Sequence, residues 1–260
     1  MIHITQNERL IWLIKYLLNE NSRYSKVTIP DNKNERFQLY RSLVNVRMPE
    51  PISEEFINIE SEYLREELDK KGITDINNLK PVKNDMYLWQ GDITTLKCDA
   101  VVNAANSQLL GCFCPCHACI DNCIHTFAGV RLRLKCGEIM KAQGYKEPTG
   151  KAKITPAYNL PSRYVMHTVG PIINDIPCRN DENLLASCYM QCLKLADEYG
   201  IKSIAFCCIS TGEFHFPNDE AAKTAVNTVE KYKAETNSKI KVIFNVFKET
   251  DYKIYRKLLG

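Results

Sequence analysis

The chain has 260 residues, 45% of them apolar, and its 34 Lys+Arg nearly balance 31 Asp+Glu. That length and apolar share supply one large core, or a core with a smaller helical unit beside it. The near-zero net charge and the lack of any Lys/Arg-rich run argue against general nucleic-acid or membrane-surface binding and leave a specific anionic ligand open.

The opening segment MIHITQNERLIWLIKYLLNENS has its apolar run interrupted by Glu8, Arg9 and Lys15 and lacks a small-residue cleavage site, so no signal peptide is expected. No stretch reaches the roughly 18 to 20 apolar residues of a bilayer span, and a cytoplasmic protein is expected. In that reducing compartment the cysteines read as metal ligands or small buried groups rather than disulfides.

Residues 1–80 predict a helical extension. Leu10, Ile11, Ile14, Leu17 and Leu18 recur at helical spacing, followed by Phe37, Tyr40, Leu43 and Val44, then Ile52, Phe56, Tyr63, Leu64 and Leu68. The third run opens at Pro51 with Ser53 as N-cap and stops at Gly72. It carries no catalytic signature, and a structural role is expected. Residues 81–260 form the second unit. MYLWQGDIT, DAVVNAA, RYVMHTV, SIAFCCI and KVIFNVF read as buried strands, with helices predicted at about 120–142, 181–199 and 218–236. This alternation predicts an α/β sandwich on a parallel or mixed sheet, with ligands beyond the carboxyl ends of the strands.

One loop concentrates the metal chemistry. NSQLLGCFCPCHACIDNCIH, residues 106–125, holds five of the twelve cysteines and two of the five histidines. Within it Cys112, His117 and Cys119 form Cys-x4-His-x-Cys, a thiolate and imidazole set that suits zinc. Three ligands leave a position for water or substrate, whereas Cys114, Cys116 or Cys123 would close the site, and spacing alone leaves both arrangements open. If a helix begins near Ile120, Asp121 sits in its first turn, where a carboxylate is stabilised and a phosphate is equally suited, and His125 shares its face.

Five segments, in order, carry a family resemblance: QGDIT at 90–94, DAVVNAANSQLLG at 99–111, IDNCIHTFAG at 120–129, GKAKITPAYNLPSRYVMHTVGPI at 150–172 and ISTGEFHFP at 209–217. Together they resemble a macrodomain, the module that binds ADP-ribose. Where the ordinary member has a glycine-rich loop after NAAN, this chain has CFCPCHAC, which resembles the zinc-dependent microbial branch that carries an N-terminal helical extension and is associated with a sirtuin-type ADP-ribosyltransferase. The resemblance implies a three-layer α/β/α fold with a mixed central sheet and a Zn2+ ion held by Cys112, His117 and Cys119. It implies ADP-ribose contacts from Asp92, Ile93, Asn106, Cys119, Ile120, Asp121, Ser210, Thr211, Gly212, Glu213 and Phe214.

Within that frame Asp92 accepts the adenine amino proton beside the Ile93 backbone, and Asn106 bonds ribose hydroxyls as both donor and acceptor. Gly212 lets backbone N–H groups approach the diphosphate, and Phe214 packs on the terminal ribose. Glu213 points either to the scissile end or to solvent. Asp121 is the expected base, with Asn106 beside it. His125, Asn103, Cys207 and Cys208 are expected to pack in the interior.

The implied activity is zinc-dependent release of mono-ADP-ribose from Asp or Glu side chains of a protein. The implied partner is an ADP-ribosylated lipoyl-carrier protein resembling glycine-cleavage H. Two alternatives stand beside it: a non-catalytic ADP-ribose reader, in which Cys114 or Cys116 closes a structural zinc site, and a deacetylase of O-acetyl-ADP-ribose. A zinc-ribbon nucleic-acid binder is disfavoured, since paired Cys-x-x-Cys spacing and a basic face are both missing.

Overall fold

Polar caps start each of the first three helices, α1 (Gln6–Asn19), α2 (Lys33–Val46) and α3 (Glu54–Lys71), in a computed structural model that describes residues 4–260. Thr5 and Glu8 form a reciprocal capping box on α1, Asn32 accepts from two N–H groups of α2, and Ser53 accepts from Phe56 N–H at α3. Gly72, at φ 85°, ends α3 as the sequence predicts. The apolar faces of these helices close around Leu10, Leu13, Ile14, Tyr40, Phe56 and Tyr63, a small core separate from the larger one.

The remaining strands and α-helices are β1 (Thr74–Asp75), β2 (Met86–Gln90), β3 (Leu96–Lys97), β4 (Ala100–Ala104), α4 (Ile120–Ala128), α5 (Val130–Gln143), β5 (Ala152–Pro156), β6 (Tyr164–Thr168), α6 (Arg179–Glu198), β7 (Ser203–Phe206), α7 (Asn218–Thr236), β8 (Lys241–Val246) and α8 (Glu249–Leu259). Six strands form one sheet in the order β2-β8-β7-β4-β6-β5, with every pairing parallel except β5 against β6. Helices α4 and α5 pack on one face and α6, α7 and α8 on the other, giving the expected three-layer α/β/α fold with a mixed sheet. Covered on both faces, the central strands read as continuous apolar runs. The short parallel pair β1–β3 ties the segment after α3 to this unit, and Ile76 lies in the larger core. Among the described residues no helix is long and apolar enough to cross a membrane.

The structure corrects three expectations. The helix predicted at about 120–142 is two helices broken at Gly129, whose φ of 88° only glycine adopts readily. A Cβ there would also lie 2.6 Å from Glu60 Oε2. Second, β5 and α8 were not predicted; β5 is an edge strand whose Lys153 and Pro156 hide the apolar pattern, and α8 is short and highly charged. Third, the predicted strands overshoot at their carboxyl ends, where the chain leaves the sheet to build the cleft.

Two buried charged side chains join the extension to the sheet unit. Arg133 of α5 donates to the carbonyls of Val44 (2.7 Å), Asn45 (2.8 Å) and Arg47 (2.7 Å), closing the end of α2, and to Leu110 O (2.6 Å). Glu60 of α3 accepts from Tyr40 Oη–H (2.7 Å) and Val130 N–H (2.9 Å), supplying the cap that Gly129 cannot give α5.

Burial raises the Glu60 pKa to about 7, although the bonds from Tyr40 and Val130 oppose the shift. Because the unfolded carboxyl titrates near 4.3, the native chain binds the extra proton between these values. Its contribution is therefore complete below the unfolded pKa and lost as pH rises through about 7, a fall of roughly 4 kcal/mol in all. Denaturant unfolding at pH 5 and pH 8 is expected to show most of this loss, and Glu60→Gln, neutral at both, to remove the dependence. An unchanged slope in that variant would place the titration elsewhere.

Candidate active site

Because β2, β8, β7, β4 and β6 run parallel, their carboxyl ends share one edge, and the loops leaving them gather there. At one end β2 runs into Gly91 and Asp92. Asp92 Oδ1 accepts from Thr94 N–H (3.0 Å) and Thr94 Oγ1–H (2.6 Å), and Oδ2 lies 3.4 Å from Lys71 Nζ of α3. Asp92 thus turns the chain and still presents its second oxygen at the rim. Ile93 is buried. Phe247, directly after β8 and 76% exposed, stands at the same end, where Gln90 Nε2 donates to its carbonyl (3.4 Å).

Across the middle, the loop after β7 is held by left-handed backbone at Ser210 (φ 67°) and His215 (φ 56°). Phe216 N–H donates to Ser210 O (2.9 Å), and Ile173 N–H donates to Phe214 O (2.8 Å), pinning this loop to the one after β6. Ser210 Oγ is buried against Gly170, where any Cβ would collide with it. Gly212 faces open space, so nothing in the protein itself demands a glycine there. Thr211 Oγ1 donates to Cys208 O (3.0 Å).

At the other end lies the cysteine loop. The ligand atoms of Cys112, His117 and Cys119 all fall within 4.8 Å of one another, and Cys112 Sγ is 3.6 Å from His117 Nδ1. A tetrahedral zinc ion with its usual bond lengths needs donors roughly 3.5 to 3.8 Å apart, so this set fits the ion with slight contraction. The neighbouring cysteines do not join it: Cys114 is exposed, and Cys116 Sγ turns to Ser42 Oγ (3.1 Å) and Gln38 O (3.3 Å) on α2. Cys123 Sγ lies 3.5 Å from Arg41 Nη2. Glu213 reaches over from the β7 loop, its Oε1 3.5 Å from His117 Nε2. The side chain that the sequence left between two directions therefore faces the donor set.

Cys119 is also the N-cap of α4, its Sγ accepting from Asn122 N–H (3.4 Å), and Ile120 begins that helix. Asp121, in the first turn, is buried. Its Oδ1 accepts from Asn103 Nδ2 (2.7 Å), its Oδ2 accepts from Asn106 Nδ2 (3.3 Å), and His125 Nε2 is 3.6 Å away. Burial raises the Asp121 pKa to about 6 against the opposing pull of Asn103 and Arg133. Asn106 is itself fixed, Nδ2 donating to Gly111 O (3.1 Å) and Oδ1 accepting from Gln108 N–H (2.9 Å).

Asn103 was expected only to pack. It is fully buried in β4, yet its amide makes the shortest bond to Asp121 and also donates toward His167 Nδ1 (3.2 Å). That contact leaves the His167 proton on Nε2, facing Thr155 Oγ1 (3.0 Å). His125, Cys136 and His167 form a second close group of ligand atoms in the core; Asn103 and Thr155 engage both His167 nitrogens, while the two His125 ring nitrogens are buried without a hydrogen-bond partner among the described residues. An asparagine inside the apolar run AVVNA was the available signal for Asn103.

Three strand spacings separate β2 from β4, roughly 14 Å. Asp92 and Ile93 are thereby kept apart from Asp121, Asn106 and the donor set, with the Ser210–Phe214 loop between them. This is an α/β module with its candidate groups spread along the carboxyl edge of the sheet. The family model described as Macro domain matches residues 102–225. A protein-ADP-ribose hydrolase of Treponema medium is 58% identical over 99% of this chain and 100% of its own length. Another of that name, from Staphylococcus aureus (strain MSSA476), is 50% identical over 96% of this chain and 94% of its own. Among solved structures, the Trypanosoma brucei macrodomain in complex with ADP-ribose is 30% identical, with a TM-score of 0.65 over 85% of this chain and 95% of that one. The chain belongs to the macrodomain family.

Proposed function

We propose that this protein is a zinc-dependent hydrolase releasing mono-ADP-ribose from modified Asp or Glu side chains of a protein. The observation that carries the reading is the meeting of two kinds of group at one end of the cleft: a three-donor thiolate and imidazole set, and the Asp121 carboxyl held by Asn103 and Asn106. The names of the relatives at 58% and 50% identity support hydrolysis, and the ADP-ribose complex of the Trypanosoma brucei protein supports the ligand.

Each part of the ligand meets matching chemistry. Asp92 Oδ2 and the Ile93 backbone take the adenine edge, and the exposed Phe247 ring offers a stacking face. The backbone of Ser210, Thr211, Gly212 and Phe214 curls around the diphosphate, with open space at Gly212 for its approach. Asn106 orients the terminal ribose toward Asp121, with Cys119 and Ile120 beside it. Cys112, His117 and Cys119 hold the ion, and the Glu213 carboxylate, 3.5 Å from His117 Nε2, favours the tautomer that carries its proton there and leaves Nδ1 toward Cys112. A bound zinc ion supplies Lewis acidity for a ribose or linkage oxygen, or for water. Asp121 removes a proton from the attacking water. Water adds across the ester, leaving a carboxylate on the protein and a hydroxyl on C1″ of the ribose.

The reader alternative needs a fourth protein ligand. Exposure of Cys114 and the turn of Cys116 toward α2 weigh against it. Release of ADP-ribose from a protein modified on acidic side chains is expected to cease after chelation and return with zinc. O-acetyl-ADP-ribose run in parallel separates the two esters. A preparation that binds ADP-ribose yet releases none under any metal condition would favour the reader.

A further inference from the structure

Helix α2 of the extension lies along the loop that carries the metal donors. The side chains of Arg41, Ser42 and Asn45 and the carbonyl of Gln38, spaced to share one face, all reach it. Gln38 and Ser42 receive Cys116 Sγ, while Asn45 Oδ1 accepts from Cys116 N–H (2.9 Å). That grip secures Cys116 in its left-handed conformation, φ 55°.

Arg41 does more than brace the loop. Its Nη2 donates to His117 O (2.7 Å) and Asn122 Oδ1 (2.8 Å), its Nε donates to the same Asn122 oxygen (3.2 Å), and Nη2 lies 3.5 Å from Cys123 Sγ. With Oδ1 claimed by the guanidinium, the fully buried Asn122 must turn its Nδ2 to the loop, where it donates to Cys114 O (2.9 Å) and Cys112 O (3.4 Å). The Asn122 N–H meets Cys119 Sγ. Two adjoining side chains thus hold the carbonyls of two donor residues, His117 and Cys112, while the third donor, Cys119 Sγ, meets the Asn122 backbone N–H.

We infer that Arg41, supplied by the helical extension, is a positioning residue of the metal loop that acts directly on His117 and through the Asn122 side chain on Cys112. This rests on the reading of Cys112, His117 and Cys119 as zinc ligands, and it gives the extension a part in the site. A planar fork can serve the His117 carbonyl and the Asn122 amide together, whereas a lysine ammonium on a flexible stem does not fix both. Losing such an outer partner typically weakens metal binding about 10- to 100-fold.

The test is zinc affinity of the full-length chain, measured by competition with a chromophoric chelator, with thermal unfolding of each metal-free variant as a check on folding. Arg41→Ala is expected to bind zinc about 10- to 100-fold more weakly, and Arg41→Lys to recover little of the loss. Asn122→Asp keeps a partner for Arg41 but turns a carboxylate toward the loop carbonyls, and should lose zinc as well. Arg9→Ala, which breaks ion pairs to Glu62 and Glu66 inside the extension, should bind zinc like the parent. Parent-like affinity in folded Arg41→Lys and Asn122→Asp proteins would overturn the inference even if Arg41→Ala failed to fold. A parent protein that binds no zinc would instead overturn the metal reading on which it rests.

Discussion

Replacing Cys119 with serine is expected to strip the zinc and lower kcat by about a thousandfold while leaving the fold intact. The size follows from several kcal/mol of electrophilic stabilisation at about 1.4 kcal/mol per decade. Serine is the informative choice because Cys119 has two tasks. Its Sγ belongs to the donor set and also caps α4 by accepting from Asn122 N–H. A serine hydroxyl caps a helix at least as well but is a poor zinc ligand beside a thiolate. Cys119→Ala gives up both and should add roughly 1 kcal/mol of destabilisation. Asp92→Ala, at the far end of the cleft, should weaken ADP-ribose binding with little effect on kcat. Metal analysis, steady-state kinetics and ADP-ribose titration on the three proteins separate these outcomes. Full turnover by a metal-free Cys119→Ser protein would sink the mechanism.

Asp121→Asn is the second large effect: kcat should fall about 10²- to 10⁴-fold with zinc content retained, the range for losing a positioned base. An amide keeps the size of the carboxyl but cannot take up the proton. The substitution also has a stability cost. Asn103 and Asn106 both present N–H groups to Asp121, and Asn103 cannot simply flip, because the same amide serves His167. One donor then faces the new amide nitrogen, a cost of about 1 to 3 kcal/mol. Thermal unfolding measures that part, and single-turnover release of ADP-ribose measures the chemical part. Parent-like single-turnover rates would leave Asp121 as an anchor for Asn103 and move the base elsewhere.

Much of this was legible in the sequence because it depends on neighbours along the chain. Capped, periodic segments gave α1, α2 and α3, and the runs around MYLWQ, AVVNA, YVMHT, SIAF and KVIFNV gave five of the six main strands. The donor set was legible since its residues lie within eight positions of one another. Legibility failed where conformation or distant partners decide. Gly129 sits inside a helical pattern, and only its approach to Glu60 reveals a break. The meeting of Glu213 with His117, and of Arg41 with Asn122, joins residues far apart in the chain, and no local pattern marks either pair. Asn103 shows a third kind of failure: its composition hinted at a role, but the partner in α4 came only with the fold.

The four carbonyl bonds of Arg133 bear on how this protein can be dissected. A chain trimmed to the sheet unit would leave a buried guanidinium with three of its acceptors gone, and would uncover the α5 end that Glu60 caps. The boundary visible in the sequence is therefore not a place to cut. Anyone transplanting the strand-end loops into another scaffold has to carry α2 and α3 with them, since those two helices complete the bonding of α5.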